Sequence, residues 1–430
     1  MKQRRSGSAL AVVALTGILG LGMASCSKDD SSSTDAATEA AATEAAASEA
    51  GATEAMASEA GDTEAMASEA GDTEAMASEA AAGAAPCSTP GAVKLQLQWV
   101  TQAQFAGYYA ALDQGFYKGQ CLDVTILEGA VDIVPQTQLA TGAADYAISW
   151  VPKALASREQ GAAITNVAQI FERSGTLQVS WKDSNINTAA DLKGKKVGNW
   201  GFGNEFELFA GMTKAGLDPS KDVTNVQQSF DMQALLKKEI DAAQAMTYNE
   251  YAQVLEAKGP DGKLYTPDQF NVIDWNNEGT AMLQDAIWAN TEKLKDAAYA
   301  DQTARFVKAS VQGWVFCRDN ADKCVDIVVA KGSKLGKSHQ AWQMNEINKL
   351  IWPSTAGVGM INQNQWDQTV KVAKEAKNAE GATGLTKDPD ADAFSNDYVT
   401  KALEEWKAAG VDVEGKSFAP ATITLNEGGA

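Results

Sequence analysis

Four short stretches of the chain carry side chains suited to recognising a small molecule. The first runs from Trp99, at the end of an alternating apolar segment, through Gln102, Gln104, Phe105, Tyr108 and Tyr109 at the start of a helical one. The second is Ser149-Trp150, after a short apolar run, and the third is the glycine-containing turn Trp200-Gly-Phe202-Gly-Asn204-Glu205. Tyr248, Asn249 and Glu250 form the fourth. Ligands in α/β proteins bind beyond the carboxyl ends of parallel strands. Helix N-termini at those ends offer free N–H groups and positive dipole ends. Aromatic rings around a cleft favour a flat, uncharged or heteroaromatic ligand. Glu205, Glu207 or Glu250 can pair with an amino group on such a ring. Apart from Lys153 these stretches hold no Arg or Lys, so a simple anion finds few converging donors. Each residue also has a structural alternative. Phe105 and Tyr109 suit a helix core, Glu205 suits a solvated first helical turn, and Gly201-Phe-Gly203 suits a plain tight turn. The turn is no dinucleotide fingerprint, because Phe206 stands where the third glycine belongs.

Other chemistries have little to build on. His339 is the only histidine, and the sequence has no Cys-x-x-Cys, no His-Glu-x-x-His and no P-loop. Neither a Ser-His-Asp set nor a multi-histidine metal centre can be assembled around one histidine, so no metal and no cofactor are expected. Four of the five cysteines, Cys87, Cys121, Cys317 and Cys324, allow three pairings. Cys317–Cys324 is favoured because it closes a short polar loop. Cys87–Cys121 is favoured because it pins the start of the folded part to its second strand. Persistent disulfides fit a compartment outside the cytosol.

The elements that must position these residues alternate. Strands are expected over Val93–Val100, Leu122–Glu128, Tyr146–Ser149, Thr165–Phe171, Lys196–Trp200, Val223–Gln228 and Phe270–Trp275. Helices are expected over Phe105–Gln114, Ile133–Thr141, Val151–Gln160 and Asn204–Ala215, and over Met232–Glu256 with a break near Asp241–Met246. Beyond Gln302 the pattern is almost wholly helical. Alternating β and α elements argue for a mostly parallel sheet covered by helices.

The N-terminal region reads differently. Lys2, Arg4 and Arg5 precede an apolar stretch from about Ala9 to Gly22, followed by Met23-Ala-Ser-Cys26. This is a secretory signal peptide, too short for the roughly 20 apolar residues of a comfortable membrane span. Small residues directly before Cys26 are the lipobox pattern, with Met23 where Leu is commoner, so a lipid on Cys26 is expected as the anchor. Residues 27–86 hold Ala, Glu, Ser, Thr, Gly, Met and Asp almost exclusively, and the stretch Glu54–Thr63 is repeated at Glu64–Thr73. Glu recurs every fifth residue, so on a helix the acids wind around the axis and leave no apolar face. With nothing to build a core from, the segment is expected to be a solvated spacer. The net charge of −20 is concentrated there, but the rest stays acidic, which argues against nucleic-acid binding.

The folded part resembles a known family. Trp99-Val-Thr-Gln-Ala-Gln-Phe-Ala-Gly-Tyr-Tyr-Ala-Ala-Leu-Asp-Gln-Gly-Phe-Tyr117 resembles the opening of the nitrate/sulfonate/taurine and thiamine-pyrimidine-precursor binding proteins. Leu122–Ile126, Gly142–Ser149, Thr188–Gly198 and Asp241–Tyr251 resemble later motifs of the same family. The resemblance implies an α/β, type II periplasmic-binding-protein fold, with two lobes and a ligand cleft between them. Residues 1–26 would then be the signal peptide, 27–86 the spacer and 87–430 the solute-binding domain. Lobe one is expected at about 93–187 and 277–430 and lobe two at about 188–276, with crossings near Ser184–Thr188 and Asn276–Thr280. The expected ligand-binding residues are Trp99, Gln104, Phe105, Tyr108, Trp150, Trp200, Phe202, Asn204, Glu205, Tyr248 and Glu250. The implied role is capture of a small nitrogen heterocycle, a thiamine pyrimidine precursor or a flavin-like molecule, on the extracytoplasmic face of the cell membrane. The implied partners are an ABC permease and ATPase. A nitrate, sulfonate or taurine binder is the alternative. A pyrimidine-synthase-like enzyme is a second, but it would carry a cysteine-rich iron motif and a reactive histidine.

Overall fold

Apolar alternation and short buried runs become two five-stranded sheets. The computed structural model describes residues 89–430, which lie within one unit spanning Glu69–Ala430. The signal peptide, Cys26, the spacer and the expected Cys87–Cys121 pairing lie outside the described residues. The first strands are β1 (Gly91–Gln96), β2 (Leu122–Leu127), β3 (Tyr146–Trp150) and β4 (Ile164–Gln169). Then follow β5 (Thr176–Trp181), β6 (Lys196–Asn199), β7 (Thr224–Gln227), β8 (Ala242–Met246), β9 (Phe270–Asp274) and β10 (Asp285–Asn290). Sheet one has the order β2-β1-β3-β10-β4, and sheet two the order β7-β6-β8-β5-β9. In sheet one only β10 runs against its neighbours, and in sheet two only β5 does. Each reversed strand is the one that enters from the other sheet. The helices that matter below are α1 (Ala106–Asp113), α2 (Val151–Glu159), α3 (Phe206–Lys214), α4 (Glu250–Leu255), α5 (Ala297–Asp319), α6 (Ala321–Ala330) and α7 (Lys337–Ile351).

Three features differ from the sequence expectation. The chain passes from sheet one to sheet two between Gln169 and Thr176, so the first crossing lies earlier than Ser184–Thr188 and β5 belongs to lobe two. Ala242–Met246 is a fully buried central strand, where a break in a long helix was expected. Its alanines are small enough to be covered on both faces. The Gln228 side chain clamps it by exchanging two hydrogen bonds, each 2.8 Å, with the Gln244 backbone. Finally, β10, which the sequence pattern did not mark as a strand, fills the gap between β3 and β4.

Close backbone approaches set the helix layer. A Cβ on Gly313 of α5 would lie 1.9 Å from the Gly107 carbonyl oxygen of α1, so the two helices can cross only at glycine. The Cys317–Cys324 disulfide is present and buried. It joins the last turn of α5 to the first turn of α6 at the Asn320 junction, a tighter unit than the polar loop expected.

The crossings are tied to each other. Ser174 on the first exchanges hydrogen bonds with Asn276 on the second, its N–H to Oδ1 at 3.1 Å and its C=O from Nδ2 at 2.8 Å. Gln284 accepts from the Gly175 N–H at 2.8 Å and donates to Ser174 Oγ at 3.1 Å and Thr176 Oγ1 at 2.8 Å. Glu207 of α3 closes the group, accepting from Ser174 Oγ at 2.7 Å and from the Met282 N–H at 2.6 Å. Glu207 is therefore a hinge residue and does not face a ligand.

Burial pushes Glu172, Glu207, Glu250 and Asp285 each up to about 7. Once unfolded, these groups return to the ordinary carboxylate range near about 4. Between those limits the folded chain binds more protons, so the free energy of unfolding falls as pH rises from about 4.5 through about 7. The melting temperature is expected to be higher at about pH 5.5 than at about pH 8, with a shallower slope in Glu207→Gln. A profile that is flat or rises over this range contradicts the assignment.

Candidate functional site

The carboxyl ends of the strands converge on a cleft of about 530 Å³. Trp99 follows β1, Trp150 ends β3, Trp200 follows β6, Phe230 follows β7 and Tyr248 follows β8; all five line it. Trp99 is held by its neighbour loop, where the Gly129 N–H donates to the Trp99 carbonyl at 2.9 Å. A Cβ on Gly129 would stand 2.4 Å from the Trp99 nitrogen, so this approach requires glycine. Across the cleft Phe230 meets two tryptophans, with ring centroids 4.9 Å from Trp99 and 6.0 Å from Trp200.

Gln244, in the middle of sheet two, fixes the loop that carries Trp200. Its Oε1 accepts from the Trp200 N–H at 3.1 Å and its Nε2 donates to the Asn204 carbonyl at 2.6 Å. Within that loop Gly201, Phe202 and Gly203 have φ of +71°, +56° and +82°. A left-handed non-glycine residue costs roughly 1–2 kcal/mol. The backbone cost comes with Phe202 standing at the cleft mouth, 74% exposed.

The floor of the cleft is polar. Gln102 Nε2 donates to Gln104 Oε1 at 2.7 Å, and Gln104 Nε2 donates to Asp285 Oδ2 at 2.9 Å. Gln98 Nε2 donates to Asp285 Oδ1. Burial raises Asp285, and hydrogen bonds from Gln104, the Trp150 indole and Gln98, together with the charge of Lys153, pull it partly back. Lys153 lines the cleft with its Nζ 4.9 Å from the Trp150 ring centroid. Burial lowers it to about 8, against the opposing pull of Glu205 and Asp285. Three buried polar atoms of lining residues have no hydrogen-bond partner within the protein: the indole N–H of Trp200 and the amide oxygens of Gln102 and Gln136. An unpaired buried polar atom costs about 1–3 kcal/mol, which a ligand offering both acceptors and donors would recover.

Of the residues expected from sequence, Trp99, Gln104, Trp150, Trp200, Phe202, Asn204, Tyr248 and Glu250 come together in the lining. Phe105, Tyr108 and Glu205 do not. Ala106 to Ala111 of α1 are buried without a break, so this helix has no open face for Phe105 or Tyr108 to present. Tyr108 packs edge-on against Trp314 at 5.6 Å. Glu205 stands at the N-terminal cap of α3, buried and raised by that burial, with Lys153 as its neighbouring cation. Sequence reasoning missed Gln98, Gln136, Phe230 and Asp285. Phe230 follows a strand and meets the same rule that found Trp200. Asp285 is a lone acid heading the apolar run Ala286-Ile-Trp-Ala289, a signal of an acid held for its chemistry.

Two α/β sheets with their strand ends turned to a common cleft define the periplasmic-binding-protein fold. The periplasmic aliphatic sulphonate binding protein SsuA from Escherichia coli shares it, with a TM-score of 0.51 and 16% identity, covering 78% of this chain and 94% of that one. Residues 102–324 match the family described as NMT1/THI5 like, and the chain belongs to that family. It is 28% identical over 181 residues to a putative thiamine biosynthesis protein of Haemophilus influenzae, covering 42% of this chain and 58% of that protein. It is 21% identical to the formylaminopyrimidine-binding protein of Halalkalibacterium halodurans, covering 55% and 69%. It is 24% identical to the riboflavin-binding protein RibY of Chloroflexus aurantiacus, covering 74% and 89%.

Replacing Phe202 removes a strained residue that packs against little. Phe202→Gly is expected to raise stability by roughly 0.5–1 kcal/mol, measured by urea denaturation. A loss of stability would show that the ring makes contacts the fold needs.

Proposed function

We propose that this chain is the solute-binding component of an ABC importer, held on the extracytoplasmic face of the membrane by a lipid on Cys26. We also propose that its cleft takes a small nitrogen heterocycle, a thiamine pyrimidine precursor or a flavin-like molecule, by closure of the two lobes. The observation that carries the ligand reading is the pairing of an aromatic wall with unsatisfied donors and acceptors. Trp99, Trp150, Trp200 and Tyr248 offer ring faces. The free Trp200 indole N–H, the free amide oxygens and the Glu250 carboxyl offer partners for ring nitrogens and amino groups. The names of two relatives, a formylaminopyrimidine binder and a riboflavin binder, support the same class. An anion fits less well, because the cleft presents one ammonium, Lys153, together with the carboxyl of Glu250, and Lys153 already faces the charges of Glu205 and Asp285 behind the lining. An enzyme of the pyrimidine-synthase type is disfavoured by His339, which is buried in hydrogen bonds to Glu256 and Asn249 and does not line the cleft.

Formylaminopyrimidine or riboflavin, at a hundred times Kd, is expected to stabilise the protein by about 2.7 kcal/mol, read as a melting shift. Trp200→Ala should reduce that shift, and Trp406→Ala, on a helix remote from the lining, should not. A shift with taurine or nitrate and none with either heterocycle would overturn the ligand reading. For the anchor, Cys26→Ser is expected to release the exported protein from the membrane fraction. Retention of the variant in that fraction would remove the lipid from the proposal.

A further inference from the structure

The outer rim of the cleft is built differently from its depth. Val131, Val134, Phe202 and Phe230 line it at exposures of 63%, 47%, 74% and 37%. Among the described residues these are four of the six large apolar side chains left exposed. The other two, Val272 on β9 and Val329 on α6, do not line the cleft. Apolar side chains scattered singly over a surface need no explanation, whereas a cluster at one cavity marks a binding site. Both lobes contribute to it. Val131 and Val134 follow β2 of sheet one, Phe202 follows β6 of sheet two, and Phe230 follows β7.

Backbone geometry and ring contacts hold these side chains out. The Ile133 N–H donates to the Ala130 carbonyl at 3.2 Å, which closes a turn around Val131, and the same loop is pinned at Gly129 to Trp99. Phe202 stands between two glycines that share its left-handed backbone. The Phe230 ring leans on Trp99 and Trp200. Deeper in the cleft the chemistry reverses. The Trp200 indole N–H and the Gln102 and Gln136 amide oxygens are buried and unpaired, and the Glu250 carboxyl at the start of α4 is buried beside them in the lining. Lys153 and Glu250 are the charged side chains among the described lining residues, and neither is exposed.

We propose that Val131, Val134, Phe202 and Phe230 form an apolar subsite at the mouth that receives a hydrocarbon edge of the solute. The cleft then selects a fused ring, polar along one edge and apolar along the other, over a single pyrimidine ring. This rests on the reading that the cleft binds a nitrogen heterocycle, and it narrows that class. A single ring that meets the buried amides and indole leaves the rim in water, whereas a fused ring reaches both. The cleft volume of about 530 Å³ falls in the range of roughly 300–1,000 Å³ that encloses ligands of that larger size.

Two probes isolate the rim. Alloxazine and lumichrome share one polar ring edge, and lumichrome adds two methyl groups on the far edge. Burying a methyl group strengthens binding roughly fourfold, so the full chain is expected to hold lumichrome roughly tenfold more tightly than alloxazine, and more tightly than formylaminopyrimidine, with dissociation constants read by titration. Phe202→Gly and Val131→Thr are each expected to cut the lumichrome-to-alloxazine ratio to about threefold or less. The first relieves backbone strain and the second keeps the shape of an exposed side chain, so a change in ratio is not a failure to fold. A wild-type ratio near one, a ratio that both variants leave intact, or a preference for formylaminopyrimidine over lumichrome overturns the proposal. Equal weakening of both probes, with the ratio kept, would make the rim a seal between the lobes and overturns it too. Toluene tests the rim without the polar depth. In the full chain with ¹³C-labelled valine methyls it should shift the Val131 and Val134 signals, and less so in Phe202→Gly. If no heterocycle binds the wild type, the heterocycle reading fails and the toluene shifts decide the subsite, their absence overturning it.

Discussion

The Ser174 hydroxyl is the point on which the two lobes hang. It donates to Glu207, accepts from Gln284, and sits on a residue whose backbone is paired with Asn276. Both crossing segments and helix α3 meet there. Because the groups are buried, each hydrogen bond is strong and an unpaired member is costly. The joint is held by directional polar contacts. Their geometry fixes where the strands of each sheet begin, and so where their carboxyl ends point. The cleft is the space those ends leave between them.

Burial also gives the cleft its chemistry. Gln98 and Gln104 deliver two amide N–H groups to Asp285, and Lys153 stands near it. The Asp285 carboxyl is satisfied within the protein, and with its two glutamine donors it makes a rigid floor. The Trp200 indole and the Gln102 and Gln136 amide oxygens, without partners, lie in the lining around it. A rigid floor with a ring of unmet donors and acceptors binds selectively, because a wrong ligand leaves buried polar atoms unpaired.

Much of this was legible in the sequence, for identifiable reasons. Trp99, Trp150, Trp200 and Tyr248 each end or follow a strand, and the pattern of apolar residues marks strand ends well. Phe105 and Tyr108 misled because α1 is buried on every side, and spacing cannot tell an inner face from an outer one when both are covered. Ala242-Ala-Gln-Ala-Met246 reads only as a break in a longer helical run, because alanine-rich sequence carries no strand signal; its strand state depends on sheet neighbours and on the Gln228 side chain. The Glu207 joint was invisible for the same reason, since its partners Ser174 and Met282 are distant in sequence.

The reversed strand β10 has a consequence for the order in which the protein takes shape. Gln169 and Asp285 adjoin in sheet one but are 116 residues apart in the chain, and the whole of sheet two is encoded between them. During synthesis, lobe two has all its strands before lobe one has its last. Until β10 arrives, β3 and β4 flank a gap one strand wide, each with a row of unpaired backbone groups. The half-made lobe is thus a receptor for a β-strand, and the nascent chain must keep that slot from foreign strands until its own is ready.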